Sequence, residues 1–434
     1  MPYLHGFRRI IFEYQPLVDE ILKVAELEEV RSEAASGNPG SVDREPGAGM
    51  VTLLELLERE SGSAFYQEAV SSSLLKVSEA GLLSAAEQLL LHGADVSFED
   101  PVTYYTPLHV AVLHNQPDVV ELLVRHGADI NKRDRVHSSS PLDLASEEVE
   151  RLPCLHRLLD LGANINGLDK TGKSALLHAL ASSDGVQVLN TANIKLLLER
   201  GADVKASMID GDNIFSFIIF LLGETEGREQ EETETLRRFC LQTTELLLSH
   251  SADPDICQPE DSLIYTCIGQ FEVHIPLIQL LLDSGAACHC PEHGPSCWSG
   301  FSLLFERLAV LLNGPESVLP HSEALRRAER TLELMLASVS QASLPPAWEI
   351  KPSAYSRYAE QVMLLARPLA LQQASPASLK HLCRVEIRQL LRPVPLHAKV
   401  NSLPLPNRLK WFVLIENSKE EEEEEEDERE VMQH

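Results

Sequence analysis

Apolar positions along this chain come in short bursts, and one burst keeps returning: a leucine-rich run closed by Gly-Ala-Asp or a near variant. It reads LLLHGADV at Leu89–Val96, LLVRHGADIN at Leu122–Asn131, LLDLGANIN at Leu158–Asn166 and LLLERGADV at Leu196–Val204. Weaker copies are LLLSHSADP at Leu246–Pro254 and LLLDSGAA at Leu280–Ala287. A second phrase precedes the run: TPLHVA from Thr106, SPLDLA from Ser140 and SALLHA from Ser174. The opening hydroxyl residues are 34 and 34 residues apart. The glycines at 93, 127, 162, 201 and 285 are 34, 35, 39 and 84 apart, and Ser251 divides the last interval into 50 and 34. A steady period of this size marks stacked repeats.

The unit around Thr106 shows why the phrases have this form. Thr106 is an N-cap and Pro107 a first helical residue, so a helix opens there, and Asn115-Gln116-Pro117 closes it. Asp118 is placed to cap a second helix, whose Val119, Val120, Leu122 and Leu123 face a neighbouring unit. Gly127 supplies the left-handed residue after that helix, and the chain enters a hairpin. A unit this small cannot bury its own apolar face, so units must stack. His109 and His178 sit inside the TPLH-type phrase, where an imidazole is expected to hydrogen-bond backbone rather than catalyse.

Outside the best-matching stretch, 67–210, the pattern changes. Residues 1–30 read as a helix with Phe7, Ile10, Ile11 and Tyr14 on one stripe; residues 32–49 read as a Gly/Pro/Ser linker. The charged run Gly223–Glu234 is expected to be a solvated insertion between paired helices. Residues 301–370 are helical in pattern without either phrase, with Leu325, Ala328, Leu332, Met335, Leu336 and Val339 on one face. Divergent repeats and a helical bridge both fit them.

The C-terminal segment 375–415 has its own pattern. Ser375-Pro376 is a helix start. Leu379, Leu382, Cys383, Ile387, Leu390 and Leu391 form one apolar stripe flanked by Lys380, His381, Arg384, Glu386 and Arg388, and Arg392-Pro393 ends the helix. A second segment opens at Leu403-Pro404-Leu405-Pro406 and runs into Leu409, Trp411, Phe412 and Leu414. On periodicity alone this is a small helical cap closing a repeat array.

Composition narrows the function classes. The formal net charge is −29; residues 419–434 hold ten acidic and two basic side chains, so the body is acidic in its own right. That argues against a nucleic-acid partner, which needs a basic patch. It serves solubility and also suits a basic partner. The longest uncharged apolar stretch, Asn213–Gly223, is too short to span a bilayer, so no membrane insertion is expected. With no secretory signal at the N-terminus, a cytoplasmic, soluble chain with reduced thiols is expected. No phosphate-binding loop and no nucleophile–base pair appear, so neither a cofactor nor catalysis is expected. Cys288, His289, Cys290, His293 and Cys297 form the one metal-like cluster, C-H-C-x-x-H-x-x-x-C. Its Cys-x-Cys step is tight and it lies where a repeat hairpin belongs, so loop thiols rather than a metal are expected.

Period and phrases together resemble the ankyrin repeat. SLKHLCRVEIRQLL resembles the elongin-binding half of a SOCS box, matching Ser378, Leu379, Cys383 and Ile387 in register; LPLP followed by RLKWFVL resembles the cullin-selecting half. In that order, the two resemble the ankyrin repeat and SOCS box family over about residues 1–415; the glutamate run Glu420–Glu426 matches no motif of it. The resemblance implies an all-α fold: an ankyrin solenoid followed by a small three-helix SOCS box. The expected division is an N-terminal helical extension at 1–66, about six ankyrin repeats at 67–300, and a helical bridge or divergent repeats at 301–374. A SOCS box at 375–415 and a disordered acidic tail at 416–434 complete it.

The resemblance also implies a non-catalytic substrate receptor of a ubiquitin ligase. Leu379, Leu382, Cys383 and Ile387 would bind elongin C, which pairs with elongin B. Leu403, Pro404, Leu405 and Pro406 would select a cullin-5-type scaffold with its RING-box protein. The ankyrin surface would hold a protein target whose identity the sequence does not give. Two other readings compete: an ankyrin scaffold or signalling adaptor without ubiquitin chemistry, and a zinc- or thiol-dependent enzyme resting only on residues 288–297.

Overall fold

The computed structural model describes residues 13–26, 52–224, 229–255, 261–314, 319–342, 344–345, 348–374, 377–391 and 396–414. Phe7, Ile10, Ile11, the linker 32–49, Ser375-Pro376, Arg392-Pro393 and the acidic tail lie outside them. The chain divides into two compact units, Met1–Gly211 and Asp212–His434.

In the first unit, residues 13–26 are helical and Leu53–Glu60 forms a second helix under a Thr52 capping box. Tyr14 and Val18 pack on Ala69. Four helix pairs follow: Tyr66–Ala80 with Leu83–Leu91, Pro107–Leu113 with Pro117–Arg125, Pro141–Ser146 with Leu152–Asp160, and Ala175–Ala181 with Thr191–Glu199. First helices pack on first helices and second on second from pair to pair. This is how units too small for a core of their own obtain a shared one.

The phrases account for the pairs at atomic detail. Thr106 caps Pro107–Leu113, and His109 completes the box: the Thr106 backbone N–H donates to His109 Nδ1 at 3.3 Å. Asp143 does the same for Ser140 at 2.8 Å. The fourth residue of the phrase, His or Asp, is therefore an acceptor that returns the cap's hydrogen bond. His178, one residue later in its phrase, differs from the expectation of a backbone partner. Its Nδ1 meets Glu147 at 3.1 Å and its Nε2 Asp169 at 3.3 Å. Asp118 does not cap Pro117–Arg125 either; the N-cap is Gln116, and Asp118 lies exposed in the first turn, 3.7 Å from Arg157. Pro117 has taken the first helical position, which leaves Asp118 two places past the cap.

The glycines that close the second helices have the left-handed backbone the period requires: φ is +90° at Gly93, +93° at Gly127, +89° at Gly162 and +90° at Gly201. The Asp or Asn that follows makes an Asx turn, as where Asp129 Oδ1 accepts from Asn131 N–H at 3.0 Å. Asn131 then accepts from the Asn164 N–H of the next unit at 2.8 Å, and Asn166 from Asp203 N–H at 2.9 Å. Hairpins are thus laddered by side-chain amides.

The second unit repeats the plan. Ile214–Gly223, Leu263–Gly269 and Gly300–Asn313 pack in succession, and so do Gln230–Ser249, Phe271–Ser284 and His321–Ser338. The last pair carries neither phrase yet stacks like the others. Along His321–Ser338 the buried face is Ala324, Ala328, Thr331, Leu332 and Met335; Leu325 and Leu336 are half-buried. Ser251, standing where a glycine is missing, has φ +68°, and Gly285 has φ +112°. The charged run at 223–234 is not all loop: Gln230–Glu234 is the first turn and a half of a 20-residue helix, and 225–228 lie outside the described residues. Among the described residues one two-stranded sheet occurs, an antiparallel hairpin of His289–Cys290 with Gly294–Ser299. Three helices, Leu379–Leu390, Leu396–Ser402 and Asn407–Leu414, end the unit.

Candidate functional site

The C-terminal helix Leu379–Leu390 is amphipathic, and its orientation is the reverse of what a cap needs. Ser378 caps it, accepting from His381 N–H at 3.2 Å. Its basic edge faces protein. Arg388 is buried, donates from Nη1 to the Val413 carbonyl at 2.9 Å and pairs through Nη2 with Asp283. His381 Nε2 lies 2.8 Å from the Val339 carbonyl. Lys380 and Arg384 stand over the Phe412 ring at 4.5 and 4.7 Å. Burial, aided by the charge of Arg388, holds the Arg384 guanidinium below the usual arginine range.

The apolar stripe faces outward. Leu379 is 78% exposed, Leu382 42%, Ile387 36% and Leu390 74%, and Cys383 is exposed between them. Only Leu391 of the predicted stripe turns inward, against the small core of Leu396, Val400, Val413 and Leu414. A row of leucines left in water at helical spacing is a surface made to be covered. Leu403 and Leu405 are half-buried while Pro404 and Pro406 are exposed. A Leu405 N–H to Leu403 carbonyl bond of 2.8 Å turns the chain between them before Asn407–Leu414 begins.

Sequence pattern located the stripe but not the clamp behind it. Arg388 and Asp283 are 105 residues apart, and an arginine flanking an apolar stripe carries no sign that it will be the buried side.

The metal-like cluster resolves into two parts. Cys288 is buried with Sγ 3.7 Å from Ser338 Oγ, and burial pushes its thiol up to about 12. Cys290, His293 and Cys297 converge, their Sγ and imidazole atoms all within 4.8 Å of one another. They are the residues here with the donor set for a metal. No helix among the described residues is long and apolar enough to cross a membrane.

Residues 375–414 match the SOCS box family model and residues 74–169 the model for ankyrin repeats (3 copies). The chain is similar over nearly its whole length to three proteins called ankyrin repeat and SOCS box protein 6. It is 56% identical to the one from Pongo abelii over 96% of this chain and 98% of that protein. It is 55% identical to that of Homo sapiens, with the same coverage, and 55% identical to that of Mus musculus over 96% of this chain and 99% of that protein.

Proposed function

The chain belongs to the ankyrin repeat and SOCS box family, and from that premise we propose that it is the substrate-recognition subunit of an elongin–cullin–SOCS-box ubiquitin ligase. Ankyrin repeats and a SOCS box are binding modules, so the chain is a non-catalytic adaptor. In this reading Leu379, Leu382, Cys383 and Ile387 bind elongin C in its pair with elongin B. Leu403, Pro404, Leu405 and Pro406 favour a cullin-5-type scaffold carrying a RING-box protein. The ankyrin surface holds a target protein for ubiquitination and degradation. Transfer is accelerated by proximity: a tethered target meets the charged conjugating enzyme at a raised effective concentration.

The observation that carries the reading is the outward stripe. A helix that only closed a repeat array would turn Leu379, Leu382 and Leu390 onto it, whereas here the basic edge docks and the leucines meet solvent. The test is co-elution of the purified chain with elongins B and C, then with cullin 5. Replacing 403–406 by alanine should leave the elongin complex intact and weaken cullin recruitment. A wild-type chain that elutes alone beside both elongins would return it to the class of ankyrin scaffolds without ubiquitin chemistry.

A further inference from the structure

We propose that Cys290, His293 and Cys297 form a zinc site, with solvent in the fourth coordination position. The site stands apart from the SOCS box reading and from any target. Pattern alone weighs against it, because C-H-C at 288–290 is too tight a start for a zinc motif. The hairpin removes that objection. Cys288 is withdrawn into the core beside Ser338. What remains, Cys290-Pro291-Glu292-His293-Gly294 followed by Cys297, has ordinary zinc spacing.

The geometry fits a metal in three respects. Zinc bonds of about 2.3 Å to sulfur and about 2.0–2.1 Å to nitrogen set a tetrahedral S–N edge of about 3.6 Å; Cys290 Sγ and His293 Nδ1 are 3.7 Å apart. The His293 backbone N–H points at Cys290 Sγ at 3.4 Å. A hydrogen bond donated to sulfur favours the thiolate, the form that binds metal. Gly294 has φ +66°, the left-handed residue that folds the turn back so that Cys297 on the second strand returns to His293.

Support behind the ligands is rigid and access in front is open. Trp298, next to Cys297, is buried and meets Tyr265 edge-on at 5.6 Å. The Gly300 N–H bonds the Cys288 carbonyl at 2.8 Å, and a Cβ on Gly300 would come within 2.8 Å of Ile268 and 2.9 Å of Met335. The hairpin base is thereby fixed to the helices beneath it. Cys290 is buried, while His293 and Cys297 are exposed, so an ion can enter from solvent. Two thiolates and one imidazole suit zinc better than magnesium or calcium, which prefer oxygen.

The full chain should be prepared under reducing conditions without chelator, its zinc measured, and the zinc then exchanged for cobalt. The expected result is about one zinc per folded chain. Cobalt should give a thiolate-to-metal charge-transfer band together with the strong visible bands of tetrahedral geometry. Cys297→Ser and His293→Ala change exposed side chains and should stay folded, with metal reduced at least tenfold. His289→Ala, next to the site but outside it, should keep its metal. A folded wild-type chain with only trace zinc and no cobalt bands overturns the proposal. So does a Cys297→Ser/His293→Ala chain that retains stoichiometric zinc.

Discussion

At the scale of single residues, the backbone angles that close each repeat carry a measurable cost. A Cβ on Gly127 would meet nothing within 4 Å, so its only penalty is the left-handed φ of +93°. Gly127→Ala should cost about 1–2 kcal/mol in urea unfolding. Ser251 already bears that penalty at φ +68°, and Ser251→Gly should stabilise by up to about 1 kcal/mol. Equal stabilities for the two serine/glycine forms would mean the angle is not held in solution. Ser251 was legible in the sequence because the leucine run before it and the 34-residue step to Gly285 fix its place. Arg388 was not, since its partners come from residues 283 and 413.

His274 gives a second residue-scale expectation. Burial, with help from the charge of Arg237, lowers its imidazole from 6.5 to about 4. Folding thus holds the ring neutral. Its contribution is intact above pH 6.5 and is lost as pH falls toward 4, because the unfolded chain binds the proton first. The loss is on the order of 3 kcal/mol. His274→Gln should flatten the fall of stability over that window; an unaltered pH profile would show that other groups set it.

At the scale of elements, hydrophobic pattern gave the helices but not which way each one faces. The stripe on Leu379–Leu390 has the period of a buried face, and the same period serves a face reserved for a partner. What decides is the opposite edge, where Arg388, Arg384 and His381 find an aspartate, a ring and carbonyls supplied by distant segments. Arg388→Ala would strand Asp283 and the Val413 carbonyl. It should cost about 3 kcal/mol, with loss of protection in Leu379–Leu390 on hydrogen exchange. Unchanged protection would place the docking energy elsewhere. The stacked pair Gly300–Asn313 and His321–Ser338 was hidden for a related reason: stacking needs complementary apolar faces, and those survive after the turn phrases have drifted.

At the scale of the molecule, charge and modules set the account. The acidic run after Ser418 has no apolar side chains to bury until Val431. A chain ending at Ser418 should keep its melting temperature and its elongin affinity, and a fall in either would mean that the run docks on the body. The central claim is that the outward stripe is an elongin-binding surface. Titration calorimetry of elongins B and C against the chain and its Leu379→Ala/Cys383→Ala variant tests it directly. Both side chains are exposed, so the variant should melt with the wild type. Burying the leucine on binding contributes on the order of 2–5 kcal/mol, so affinity should fall at least about 30-fold. A folded variant that binds elongins as tightly as the wild type would contradict the account.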